Sequence, residues 1–270
     1  MNHEEVTKVS ANRRNFLKTA GLTSMGLAGA ALVGSKMGLG EQKVEAASIS
    51  DTDILNFALN LEYLEAEFYA MATYGTTLLK LGVITAAEQS GPTTGGNKVP
   101  NFSSSPVAYV ATALRENEID HVIYLRKALG SAAVKKPAIN LDALGYGFSS
   151  VDSFLKLARQ FEDVGVSAYL GAAPLISSSA YLAAAGAILS TEAQHSGSIR
   201  LACIWNGVSS PAVDKLDVPP TSSNPYDVTS STALSIPRTT AQVLNIVYAG
   251  DNCAGGFYPM GMNGNIKCQS

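Results

Sequence analysis

Glu118-Ile119-Asp120-His121 and Glu192-Ala193-Gln194-His195 repeat one pattern, a carboxylate and an imidazole three residues apart. On a helix, side chains at that spacing leave one face and converge on one spot. The chain has three histidines, and only His3 lies outside this pattern. Two more glutamates complete a symmetrical set. Glu62 is followed seven residues later by Tyr69, and Glu162 at the same interval by Tyr169. Two helical turns span that interval, so each tyrosine shares the stripe of its glutamate. The chain order Glu, Glu-x-x-His, Glu, Glu-x-x-His is an internal repeat of one helix pair. It would build a pseudo-twofold site, and carboxylates with neutral imidazoles are ligands for divalent metals.

The neighbours of these residues are apolar. Glu118 shares its stripe with Val107, Ala111, Leu114, Val122, Leu125 and Leu129, and Glu192 sits among Ala185, Ile188, Leu189 and Ile199. Glu162 follows Leu155 and Ala158, and Glu62 follows Leu55, Ala58 and Leu59. Four carboxylates on apolar stripes are costly to bury unpaired, and two divalent ions would cancel their charge. The expected ligands are Glu62, Glu118, His121, Glu162, Glu192 and His195. In that expectation Glu118 and Glu192 bridge two metal ions or bind one terminally, each histidine anchors one ion, and Glu62 and Glu162 are terminal. Tyr69 and Tyr169 would orient ligands from behind, the alternative for each being plain core packing. Glu65, one turn from Glu62, is the rival for the first ligand. Otherwise Glu65, Glu67, Glu88 and Glu116 are expected in solvent. Iron and manganese suit this ligand set equally.

Four long helices must carry these residues, which makes the fold class all-α. The first starts at Ser50 or Asp51 and runs to Gly75. The second has Ser105 as N-cap, Pro106 at the first helical position and Gly130 just past its end. The third runs from Ser149 or Ser150 to before Pro174, and the fourth from about Ser178 to Gly207. About twenty residues join the second helix to the third, enough for the single crossover of such a bundle. The segment from Gly75 to Ser104, with Gly91-Pro92-Thr93-Thr94-Gly95-Gly96, reads as a long irregular loop over one end, a cover or gate for the site.

Residues from about Asp51 to Asn206 resemble the ferritin-like superfamily. Leu59-Asn60-Leu61-Glu62-Tyr63-Leu64-Glu65-Ala66-Glu67-Phe68-Tyr69 is similar to its desiccation-related branch. So are Pro237-Arg238-Thr239, Gln242-Val243-Leu244, Ile246-Val247-Tyr248, Gly255-Gly256-Phe257-Tyr258-Pro259 and Asn263-Gly264 in the tail. The resemblance implies a di-iron or di-manganese four-helix bundle and leaves the activity open.

Asn12-Arg13-Arg14-Asn15-Phe16-Leu17-Lys18 precedes a mild apolar run from Ala20 to Gly34 and resembles a twin-arginine export signal. The run is short and glycine-rich for a membrane span, and Val44-Glu45-Ala46 offers small residues for cleavage near Ala47. An uncleaved anchor is the alternative. The expected organisation is a signal over 1–46, a ferritin-like bundle over 47–207, and a linker with an irregular C-terminal extension over 208–270. The partner implied is the twin-arginine export machinery, and the expected location is the periplasm or cell envelope. Ser209 to Ser235 reads as a linker wrapping the bundle, and Thr239 to Tyr248 as a short helix. Phe257 and Tyr258 would pack on the bundle or on a neighbouring subunit of a homo-oligomer.

Charged residues make up 15% of the chain and the net charge is −3, so no electrostatic case for nucleic acid exists. Of the three cysteines, Cys253 and Cys268 are candidates for a disulfide, closing a loop worth roughly 3 kcal/mol, or else two free thiols. Cys203 reads as a small core residue. No Cys-x-x-Cys occurs, so a rubredoxin-like iron site is absent. Three functions fit: a redox enzyme acting on a small-molecule oxidant (peroxidase, catalase-like or ferroxidase), a metal-storage cage, and a non-enzymatic stress or desiccation-related envelope protein with a structural or vestigial metal site. The redox enzyme is preferred. The segments outside the bundle argue against a compact cage.

Overall fold

Ser50 begins the first helix with a capping box: its side chain accepts the Asp53 N–H, and the Asp53 carboxylate accepts the Ser50 N–H. The computed structural model describes residues 49–250 and 253–268; the expected export signal lies outside them. Helix α1 (Asp51–Tyr74) ends at Gly75, and α2 (Leu78–Leu81) is a single turn. Helix α3 (Val107–Leu129) starts one residue later than expected, with Pro106 as its cap and the Ser105 hydroxyl accepting the Val107 N–H at 3.2 Å. Ser150 caps α4 (Val151–Ala172), Ser178 caps α5 (Ser179–Trp205), and a Thr239–Gln242 capping box opens α6 (Thr240–Val247).

The long helices form a bundle in which α1 packs chiefly on α3 and α4 on α5, and the crossover of residues 130–150 joins the two pairs. Outer faces of α3 and α5 meet solvent. By contrast, α1 is buried from Ile54 to Ala70 apart from the half-buried Ala58, and α4 is buried from Phe161 to Tyr169. Their free sides are covered by segments distant in sequence.

One cover is the loop after α1, which is stitched down instead of hanging free. Its strand β1 (Thr93–Thr94) pairs in parallel with β2 (Ile139–Asn140) of the crossover. Ser90 N–H donates to the Lys136 carbonyl at 2.8 Å and Leu141 N–H to that of Thr94 at 2.9 Å. Lys136 is buried, donating to Thr93 Oγ1 at 2.9 Å and lying 3.8 Å from Glu67. Among the described residues, no hydrogen bond from this loop reaches the six expected ligands.

The other cover is the tail, which packs on its own bundle. Phe257 meets Phe161 edge-on at 5.0 Å, and the Tyr258 hydroxyl donates to the Asn60 carbonyl at 2.6 Å. The Arg238 backbone lies so close to α4 that a Cβ at Gly171 would fall 1.9 Å from its carbonyl oxygen. Only glycine fits there. Cys253 and Cys268 are free thiols held side by side, and Cys268 is pushed up in pKa first by desolvation and then by its neighbour. Cys203 is buried in the core as expected, its thiol raised to about 11 by burial.

Candidate metal centre

Mid-helix positions on all four long helices bring six side chains together. Glu62 comes from α1, Glu118 and His121 from α3, Glu162 from α4, and Glu192 and His195 from α5. All four glutamates are fully buried, and the His121 side chain is 12% exposed. Their donor atoms form two sets of four, each within 4.8 Å: Glu62, Glu118, His121 and Glu192, then Glu118, Glu162, Glu192 and His195. Glu118 and Glu192 belong to both sets. The sequence repeat thus reappears as two ligand clusters sharing two carboxylates.

His121 Nδ1 lies 3.1 Å from Glu62, 3.4 Å from Glu118 and 3.3 Å from Glu192. His195 Nδ1 lies 2.8 Å from Glu118 and 3.4 Å from Glu162, while its Nε2 is 3.1 Å from Asn117 Oδ1. Both oxygens of Glu118, both of Glu192, Glu162 Oε2 and His195 Nδ1 are buried with no hydrogen-bond partner among the described residues. The 2.8 Å approach of His195 to Glu118 is therefore close without hydrogen-bond direction. These atoms face a common centre more than they face each other. Orphaned carboxylate oxygens are expensive to bury, and a pair of divalent cations would satisfy all of them. The donor set fits such a pair.

The electrostatics show the strain of the set on its own. Burial pushes Glu62 up to about 7, with His121 pulling the other way, and raises Glu162 and Glu192 as well. Burial would also raise Glu118, but the nearby His121 and His195 imidazoles outweigh it and hold it at about 2. Against their own desolvation, both imidazoles are driven up by the surrounding carboxylates, His195 to about 11. Without cations the site must hold protons, which metal binding would release.

Both tyrosines reach across the bundle as donors, Tyr69 of α1 to Glu162 of α4 and Tyr169 of α4 to Glu62 of α1. Burial, then the carboxylate partner, raises each phenol, so both stay protonated donors.

The expectation that Glu65 and Glu67 are solvated is wrong. Both are buried, Glu67 beneath the loop after α1 and Glu65 within the bundle against α4 and α5. Glu67 accepts the Leu78 N–H at 3.1 Å. Glu65, raised by burial and then by Glu192 and Glu118, stands outside both ligand sets. It flanks Gly165, where a Cβ would lie 3.1 Å from Glu65 Oε1 and 2.7 Å from Glu192 Oε2. Glu88 and Glu116 do lie at the surface, paired with Arg126 and Arg115.

Sequence reading missed a buried ionic network directly behind the ligands. Asp163, next to Glu162, accepts from Ser196 at 2.6 Å, from Arg200, and from Arg159 at 3.4 Å. Arg159 continues to Asp217 at 2.6 Å, and Arg238 pairs with Asp214 at 2.8 Å while donating to Ser167. Burial lifts Asp163 to about 6 despite both arginines. Arg159 and Asp163, four apart on an otherwise apolar stripe, were the available signal.

A family model described as the ferritin-like domain matches residues 50–204, from the start of α1 almost to the end of α5. The chain matches none of the curated proteins it was compared with.

Proposed function

The chain belongs to the ferritin-like family, and on that premise we propose that it is an exported di-metal carboxylate protein that consumes a small oxidant. The observation that carries this reading is the set of orphaned, buried carboxylate oxygens shared between two four-donor clusters. Glu118 and Glu192 would bridge two ions of iron or manganese, His121 and His195 would each anchor one, and Glu62 and Glu162 would be terminal. When bound, the metal pair would supply two-electron exchange with peroxide or dioxygen, the electrons coming from two ferrous ions in the ferroxidase version. The chain's part is positional. Tyr69 and Tyr169 each fix one oxygen of a terminal carboxylate, leaving its other oxygen turned inward. The apolar stripes exclude water, which strengthens every charge interaction inside.

Protection of the cell envelope against peroxide, by catalase-like or peroxidase chemistry, suits this site and the twin-arginine motif at Arg13-Arg14. That export route carries folded proteins, so ligands from four helices would gather their metal before leaving the cytoplasm. The test is metal content by mass spectrometry on the exported protein beside Glu118→Ala/Glu192→Ala. Near two iron or manganese ions per chain, lost in the variant, with peroxide consumption following the metal, is the expected result. Bound metal with no turnover would favour the structural, desiccation-related role. No bound metal and equal stability of both proteins would overturn the metal reading.

A further inference from the structure

The two halves of the repeat differ in how the space beyond each tyrosine is filled. Phe68 lies six residues after Glu62 and stacks on Phe154 with centroids 5.3 Å apart. Phe148 and Phe161 close on Phe68 at 5.4 and 5.1 Å, and Tyr69 itself meets Phe154 at 5.8 Å. The equivalent of Phe68, six residues after Glu162, is Ala168. Among the described residues no pair of aromatic rings packs together there, although Phe57 lines the space. In place of a cluster is a cavity of about 190 Å³, walled by Ala58, Leu61, Leu125, Ala168 and Tyr169, with Tyr124 and Tyr181 nearer its mouth. Tyr124 is 48% exposed, whereas Leu61, Leu125 and Ala168 are buried, so the cavity runs from the surface into the bundle. Among the described residues, no charged side chain lines it, and tyrosine hydroxyls are its only polar side-chain groups. Tyr169, at its inner wall, is the residue that donates to Glu62.

We propose that this cavity is a binding site for a small apolar molecule of the size of an aromatic ring. An apolar cavity of about 150 Å³ stays dry and is enough to hold benzene. The missing volume is the one that Phe68 occupies in the other half, which sets the shape of the guest. Burial of its apolar surface drives binding, and Tyr169, which lines the cavity, links it to Glu62. The site itself stands on the cavity walls; that it places a guest beside bound metals rests on the proposed function.

The test is a titration of the full-length protein with fluorobenzene, followed by the fluorine resonance and by Tm, with metal counted in the same samples. Saturable binding of one molecule per chain is expected, with Tm rising roughly 3–6 °C at ten times Kd. Ala168→Phe, which supplies the ring found in the other half, abolishes binding and leaves metal content unchanged. Ala185→Leu fills the same cavity from α5 and serves if the first variant fails to fold. Absence of saturable binding to the wild type, or undiminished binding to a folded filled variant, would overturn the proposal. Metal counts keep this failure distinct from failure of the metal site.

Discussion

Arg126 and Arg200 stand at equivalent places in the two halves of the bundle, each five residues after the histidine of its Glu-x-x-His. Their contacts are equivalent too, yet chemically different. Arg126 donates to the Tyr63 hydroxyl at 2.6 Å and pairs with Glu88 of the loop after α1. Arg200 pairs with Asp163, which occupies the place of Tyr63, and donates to the tail carbonyls of Pro225 at 2.7 Å and Val218 at 2.8 Å. Each arginine thus ties down the segment that covers its half. The first cover already has a backbone ladder to the crossover, and Arg126 adds a partly exposed tie to a neutral phenol. The second cover, from Val208 to Arg238, is nearly without regular structure, and buried charge takes over the fastening. Where backbone pairing is absent, side-chain ions do its work, at a desolvation cost that only complete pairing offsets.

That contrast breaks most sharply at Asp163. Asp163→Ala leaves Arg159 and Arg200 buried without their shared carboxylate and should cost about 3–5 kcal/mol in urea unfolding. Tyr63→Phe at the equivalent place removes two part-exposed hydrogen bonds, one from Arg126 and one to the Val134 carbonyl, and should cost only about 1–2 kcal/mol. Equal losses would mean that the two halves are fastened alike.

Symmetry, by contrast, should hold at the ligands. Tyr69→Phe and Tyr169→Phe each free one terminal carboxylate and are expected to weaken metal affinity about 10–100-fold, by similar factors. Competition against a chelator measures this. A large effect at one tyrosine alone would show that the twofold likeness stops at geometry.

The smallest effect is expected at the rim of the tail network. The Arg238 guanidinium holds Asp214 below its ordinary carboxylate pKa. A depressed folded pKa gives stability that is complete above the unfolded value of about 3.9 and is lost as pH falls through the folded value. Asp214→Asn should therefore lower Tm slightly near neutrality and flatten its decline below pH ~4, by well under the effect at Asp163 because Asp214 is partly exposed. An unchanged acid limb would remove Asp214 from the fastening of the tail.

Much of the molecule was legible in the chain because the relevant physics is local. Helix starts at Ser50, Ser150, Ser178 and Thr239 follow from side chains that accept N–H groups three residues on. Convergence of Glu118 with His121 and of Glu192 with His195 follows from helical period alone, and the Glu–Tyr interval put each tyrosine within reach of the opposite helix. The match to the ferritin-like domain over residues 50–204 agrees with that reading.

What lay beyond it depended on partners far along the chain. Glu67 read as solvated because periodicity describes one face of a helix and the loop that covers it packs from outside that face, and Glu65 because only the packing of α4 and α5 puts it beside Gly165 and Glu192. Arg159 and Asp163 could be paired from their spacing, but their link to Asp217 joins residues more than fifty positions apart. Sequence by itself determined which side chains share a helical face, since that is a property of one backbone repeat. Tertiary structure alone decided which faces are dry, which charges are buried together, and which half of the repeat is left hollow. Burial is set by whatever packs from outside the helix, and the two halves of this bundle are covered by unrelated segments.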